Sequence, residues 1–453
     1  MHFKMRQWLQ QNKKETSSML KNTKLLTIGL MLFSLFFGAG NLIFPPLLGQ
    51  GAGDQFFTAM LGFAVTGIGL PLLAVIAVGL SDGGLQEIGS RIHPVFGLIL
   101  SLIVYLSIGP FFGIPRTGTV SFEMGLSFLP DAIREAVWAL PVFTIIYFLI
   151  TLLISLNPSK VIDRVGNILT PVLLTLIVVL FLRSLFHPVG DLGTPTDAYA
   201  QFPFFQGFLD GYLTLDALSA LVFGGMVVAA IRDDGIRDRK KVAATTLKAG
   251  LIAVTCLAFV YFSLAYMGAT SQQLGMMDNG GEILTAIAFE LFGSYGSVLL
   301  GIVVLLACLT TSVGLSTSCA QFLNRVFPKL SYKKWLLIVT VFSAFVANVG
   351  LTQLIAFSVP VLSMIYPAVI VLILLSFLHS SFHGYRAVYA GGISGAFLIS
   401  VLDTLTGIFG FDFSWLEVLP LYDQGIGWLV PAVIGSLLGY VIGKAFEKKA
   451  ALT

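Results

Sequence analysis

Stretches of about twenty apolar residues recur along this chain from Leu25 onward, and they leave little choice of architecture. A helix needs roughly 20 such residues to cross the hydrocarbon core of a bilayer. Once in lipid, every backbone N–H and C=O must find a partner within the protein. Only 11% of the residues are charged and 56% are hydrophobic, whereas a soluble domain carries about 25% charged residues. The reading is an all-α polytopic membrane protein. The apolar runs lie near 25–48, 55–80, 95–118, 136–156, 165–186, 211–231, 242–268, 293–323, 334–350, 353–378, 387–410 and 426–444, which makes about twelve transmembrane helices.

The basic residues orient these spans. With the N-terminus inside, every Lys and Arg except Arg116, Arg134 and Arg183 falls in the N-terminal segment, an inner loop or the C-terminal tail. That partition requires an even number of spans and puts both termini in the cytoplasm. Residues 1–24 read as a retained cytoplasmic segment, because no small-residue cleavage pattern follows them. The outer connections are acidic or neutral.

Several function classes drop out. The net charge of +3 comes without a basic face interleaved with aromatics, so no nucleic-acid partner is indicated. No phosphate-binding loop of the GxxxxGK[ST] type is present, so ATP is not the energy source. Cys256, Cys308 and Cys319 lie in apolar runs without metal-ligand spacing, and the five histidines are scattered. Neither an enzyme constellation nor a repeated pore loop is visible.

One segment violates the pattern. LFFGAGNLIFPPLLG, from Leu35, packs Gly38, Gly40, Asn41, Pro45 and Pro46 into the middle of the first span. Each of these costs helix stability or removes a backbone donor. Broken backbone at membrane depth is tolerated where protein or a water-filled cavity satisfies it. Secondary transporters with inverted repeats use two such discontinuous helices, one per half, to hold substrate and ions. Five spans on, LTLDALSALVFGGMVVAAI carries Gly224–Gly225 at its centre, and an unwound partner helix is expected there. In the eighth span, ACLTTSVGLSTSCAQF holds two hydroxyl clusters. Hydroxyl and backbone oxygens suit a hard cation, although Ser316, Thr317 and Ser318 read as helix packing.

FGAGNLIFPPLLGQGAG and GPFFGIPRTGTVSFEMG strongly resemble the signatures of the bacterial branched-chain amino acid–cation symporter family, and the likeness covers essentially the whole chain. The resemblance implies Na⁺-coupled import of leucine, isoleucine and valine across the bacterial cell membrane. It also implies a LeuT-like 5+5 inverted repeat over 25–190 and 191–380, with two additional helices and the tail in 381–453. Carried onto this sequence, the superfamily pattern gives the amides of Ala39 and Gly40 the substrate carboxylate. Phe36, Asn41, Val222, Phe223, Gly224 and Gly225 would form the rest of the pocket. The carbonyls of Ser34, Phe37 and Ala307 and the hydroxyls of Thr310 and Thr311 would hold one Na⁺. The segment after Asn41 is one residue shorter than the best-known pattern, so a second ion is not assigned. No organic cofactor is implied, and a monomer in the bilayer is expected. The alternative is a proton-coupled or ion-independent carrier of another small solute on the same fold.

Arg116, Glu123 and Asp216 fall in or beside spans, where charged residues are functional candidates. Seven residues apart on one helix face, Arg116 and Glu123 could pair at the outer end of the third span, either as an outer gate or as an interfacial salt link that anchors the helix end. Asp216 is expected near the outer start of the sixth, where it could gate or attract cations.

Overall fold

A computed structural model describes residues 24–81, 84–156, 161–233, 236 and 238–446. The expected N-terminal segment lies almost wholly outside the described residues. Those described form helices and their connections, with no strand among them. Seven helices are long and apolar enough to cross a membrane, or eight if one bent pair counts as a single span. The protein is a multi-pass membrane protein.

The first apolar run is split. Helix α1 (Lys24–Phe36) stops, Gly38 is extended at φ −133° and ψ −164°, and α2 (Ala39–Ala52) begins. Pro45 and Pro46 sit inside α2, and all of its residues except Leu47 are buried. Next come α3 (Phe56–Ala64), α4 (Leu70–Gly79), α5 (Gly84–Ser90) and α6 (Pro94–Leu106). A second discontinuity follows at Gly109 (φ −87°, ψ −120°), beside Pro110. The chain resumes as α7 (Gly113–Gly125), then α8 (Asp131–Arg134), α9 (Ala139–Ser155) and α10 (Val161–Phe186).

The region expected to be an outer loop contains α11 (Asp197–Gln201) and α12 (Pro203–Asp210), the latter prolonged by a 3₁₀ turn over Gly211–Thr214. Leu215 then adopts left-handed backbone, φ 66° and ψ 10°, and α13 (Asp216–Asp233) departs at 43° to the preceding segment. The sixth run is therefore a broken helix, but its break precedes Asp216. Gly224–Gly225, expected to be unwound, lie inside continuous α13.

Then follow α14 (Arg239–Ala269), α15 (Gly280–Val326), α16 (Tyr332–Ala347), α17 (Leu351–Phe377), α18 (Arg386–Phe409) and α19 (Leu429–Phe446). Gly293, at φ 61° and ψ −156°, bends α15 into two arms. At the centre of the bundle α2 packs against α14, α15 and α7. The pair α18–α19 stands to one side against α17. There Gly391 and Gly435 face each other so closely that a Cβ on either would lie 2.1–2.2 Å from the other's carbonyl oxygen. Small residues let backbones approach where lipid supplies no hydrophobic drive between helices.

Candidate functional site

The break between α1 and α2 is held by Asn41. Its Oδ1 accepts the Gly38 N–H at 2.7 Å, which satisfies a donor that the interrupted helix leaves behind. Its Nδ2 donates to both carboxylate oxygens of Asp216 at 2.9 Å, and to the Tyr261 hydroxyl. Tyr261 also donates to Asp216, and its ring lies edge-on to Phe63 at 5.2 Å. Asn41, Asp216 and Tyr261 are all buried. The first break is thus tied through one side chain to the first residue after the second break. There, Thr214 Oγ1 accepts the Asp216 N–H at 3.3 Å, as an N-terminal hydroxyl does when it caps a helix. Asp216 is the first residue of α13, as expected of the start of that helix, and it lies at the junction of the two breaks.

These segments enclose a cavity of about 30 Å³, with room for one or two waters. Phe36, Ala39, Gly40 and Asn41 line it from the first break, and Thr214, Leu215 and Ser219 from the second. A Cβ on Gly40 would lie 3.1 Å from the Thr214 carbonyl oxygen and 3.2 Å from Arg116 Nη1. Only glycine lets the two breaks approach this closely. The amides of Ala39 and Gly40 belong to the first turn of α2, where helix donors lack internal partners and the dipole favours an anion.

The break at Gly109 contributes Arg116. Starting α7 at Gly113 puts Arg116 in its first turn, beside the cavity and 1% exposed. Arg116 Nη1 donates to the Leu213 carbonyl at 2.6 Å and Nη2 to Ser358 Oγ at 3.1 Å. The guanidinium lies 4.9 Å from the centre of the Phe44 ring. The expected Arg116–Glu123 pair does not form. Seven residues span ~10 Å of helix axis, and the two side chains serve opposite ends of α7. Glu123 instead lines a separate cavity with Arg134 and Glu282.

The residues expected around an ion do meet. Thr311 Oγ1 donates to the Phe37 carbonyl at 3.2 Å and to the Ala307 carbonyl at 3.1 Å. Thr310 Oγ1 donates to the same Ala307 oxygen at 2.8 Å. Ser34, Thr310, Thr311, Phe223 and Gly314 line a cavity of about 20 Å³ next to the central one. The set offers carbonyl and hydroxyl oxygens only, the donors a hard cation takes.

The four residues expected from α13 are distributed differently. Phe223 faces the oxygen cluster, while Val222 and Gly225 line a cavity of about 540 Å³ that also reaches Arg232 and Arg325. Gly224 packs on α4, where a Cβ would approach Val78 to 3.1 Å. None of the four lines the central cavity. Sequence reasoning missed Thr214, Leu215 and Ser219 in their place. The pattern Thr214-x-Asp216 ahead of an apolar run is a helix-start signal that marks this break.

Residues 21–446 match the family described as branched-chain amino acid transport protein. The chain belongs to this family. It is 49% identical over 423 residues to the branched-chain amino acid permease BraB of Bacillus subtilis, covering 92% of this chain and 95% of that protein. It is 44% identical over 432 residues to the branched-chain amino acid transport system 2 carrier protein of Pseudomonas aeruginosa, covering 95% and 98%. These relatives are a permease and a carrier, and this branched-chain amino acid transport protein is a transporter and not an enzyme. Its fold is shared with Mhp1, a nucleobase-cation-symport-1 family transporter solved in a closed conformation, at a TM-score of 0.61 and 15% identity over 93% of both chains. MhsT, solved with L-phenylalanine, matches at a TM-score of 0.53 and 16% identity over 93% of this chain and 98% of its own.

Proposed function

We propose that this transporter imports leucine, isoleucine and valine together with Na⁺, by alternating access across the bacterial cytoplasmic membrane, with both termini inside. The observation that carries this reading is the convergence of two broken helices on one enclosed cavity, with an uncharged oxygen cluster beside it. In this account the spans form two inverted five-helix repeats, 25–190 and 191–380. Helices α18 and α19 are the appended pair.

The substrate carboxylate meets the Ala39 and Gly40 amides, with the Arg116 guanidinium alongside. The ammonium meets the Asn41 side and the end of the turn at Thr214. The aliphatic side chain lies against Phe36, Ile108 and Leu315, the apolar wall of the cavity. An amino acid does not fit into about 30 Å³, so this conformation is contracted over the site, and loading requires the breaks to part. Ser34, Phe37, Ala307, Thr310 and Thr311 take one Na⁺. Because the oxygen cluster touches the first break through Phe37, bound Na⁺ stiffens the segment that holds substrate. One positive charge moving inward across 100 mV contributes about 2.3 kcal/mol to accumulation.

A proton-coupled carrier is the second reading, and Asp216 favours it, since a buried carboxylate at membrane depth is a functional candidate by default. Uptake of labelled leucine into proteoliposomes separates the two. Accumulation under an inward Na⁺ gradient but not an equal K⁺ gradient, competed by isoleucine and valine, is the expected result. Uptake driven by an inward proton gradient without Na⁺ would assign coupling to Asp216 instead.

A further inference from the structure

Arg116 is a buried cation held by neutral partners. Nη1 donates to the Leu213 carbonyl at 2.6 Å, Nη2 donates to Ser358 Oγ at 3.1 Å, and the centre of the Phe44 ring lies 4.9 Å away. Burying a charge is costly unless an opposite charge joins it. The guanidinium borders the central cavity, and a Cβ on Gly40 would lie 3.2 Å from Nη1. It therefore stands beside the first turn of α2, where the substrate carboxylate is placed above. Each Nη carries two N–H groups, so with one of each engaged the other remains for a carboxylate.

The two hydrogen-bonded anchors differ in kind. Leu213 lies in the 3₁₀ turn ahead of the second break, and that turn shifts when the breaks part. Ser358 lies inside α17, a helix packed against α18, α4 and α7. It is fully buried, and its Oγ donates to the Ile355 carbonyl at 2.9 Å. That bond commits the hydroxyl proton to its own helix and leaves the oxygen free to accept from Arg116. Ser358 stands behind Arg116, outside the residues that line the cavity. An arginine fork held at one point before the ligand arrives loses less freedom on binding.

We propose that Ser358 is a positioning residue for the substrate carboxylate, acting through Arg116. It keeps the guanidinium at the cavity wall while the second break moves, so the cation is already aimed when the amino acid enters. This role rests on the carboxylate placement proposed above.

Competition binding to the purified full-length protein in Na⁺ tests it. Labelled leucine is displaced by unlabelled leucine or by leucinol, which keeps the amine and the side chain but has no carboxylate. The readout is the ratio of the two affinities within each protein, which does not depend on the fraction folded. In wild type the ratio favours leucine. In Ser358→Ala leucine affinity should fall about tenfold while leucinol affinity stays within about twofold, so the ratio shrinks. A serine that only supports the fold would weaken both ligands alike, and an unchanged ratio in Ser358→Ala would overturn the proposal. Arg116→Gln checks the reading underneath, and the ratio should collapse there. A collapse in Arg116→Gln beside an unchanged ratio in Ser358→Ala would overturn the role of Ser358 alone. An unchanged ratio in Arg116→Gln would remove Arg116 from the carboxylate and overturn the proposal with it.

Discussion

The two helix breaks that meet at the central cavity are built from different materials. At the first, Gly38 is extended, Gly40 lets the backbones touch, and Asn41 three residues on satisfies the loose N–H. At the second there is no glycine at the turning point. Leu215 takes left-handed backbone, which costs a non-glycine residue roughly 1–2 kcal/mol. Its side chain is 4% exposed, and burying a leucine contributes about 1.5–3 kcal/mol. Packing therefore offsets the strain. A break needs relief for its freed backbone groups and a reason to stay bent. The first has both in its local sequence, whereas the second takes them from Thr214 and from Asn41, which lies 175 positions away from Asp216 in the chain.

The link between the breaks is the largest target. Asn41→Ala removes one donor to Asp216, which keeps Tyr261, and the acceptor for Gly38, and leaving the Gly38 N–H buried and unpaired costs about 1–3 kcal/mol. Chemical denaturation in detergent should show a loss of that order together with loss of leucine binding. A stable Asn41→Ala protein that binds leucine normally would mean the two breaks do not depend on each other.

Next in size is a contrast between glycines. Gly40→Ala must push back the Thr214 carbonyl or the Arg116 guanidinium, whereas a Cβ on Gly225 meets nothing within 4 Å. Leucine affinity should fall at least tenfold, about 1.4 kcal/mol, in Gly40→Ala and stay within twofold in Gly225→Ala. Equal losses in both would return Gly224–Gly225 to the substrate pocket.

Leu215→Gly sharpens the comparison further. It relieves roughly 1–2 kcal/mol of backbone strain but forfeits about 1.5–3 kcal/mol of burial, so a net stability loss of about 1 kcal/mol is expected. A marked gain in stability would show that packing does not hold the second break.

The smallest effect lies away from both breaks, in the turn between α17 and α18. His379 Nδ1 is 2.9 Å from the Tyr389 hydroxyl, which also accepts from Arg91 Nη1 at 3.2 Å. Burial first, and then the nearby Arg91 charge, hold the His379 imidazole below its ordinary value. The folded protein therefore resists the proton more than the unfolded chain does. Its contribution to stability is present above about pH 6.5 and declines as pH falls below that value. His379→Gln should flatten this part of the stability–pH curve without altering leucine affinity. An affinity change would tie the turn to the central cavity.

Much of this could be read in the sequence. The apolar runs define the helices, and Gly38, Gly40, Asn41, Pro45 and Pro46 mark the first break, because such residues have no other business inside a span. The hydroxyls of Thr310 and Thr311 stand out in the eighth span, but only the family resemblance sets them beside the first break, where Thr311 reaches the Phe37 carbonyl. Gly224–Gly225 do not mark the second break, because glycine in a membrane helix also serves close packing, and Gly224 packs on Val78. Short helices fit the outer connection from His187 to Gly211, but that one of them, α12 (Pro203–Asp210), runs into the sixth span as its half-helix is not legible, because eight residues are too short to show a spanning pattern. The position of Arg116 depends on the interruption at Gly109, and a single Gly-Pro pair inside an apolar run does not by itself mark a break. Contacts between distant positions, such as Asn41 with Asp216, leave no trace in a single chain's local pattern.

The most direct test of the account is the Na⁺ dependence of leucine affinity, measured side by side in wild type and in Thr311→Val. If the oxygen cluster at Phe37, Ala307 and Thr311 holds the coupling ion against the first break, affinity rises steeply with Na⁺ in the wild type and becomes nearly flat in the variant. Equal Na⁺ dependence in both proteins, or none in the wild type, would contradict it.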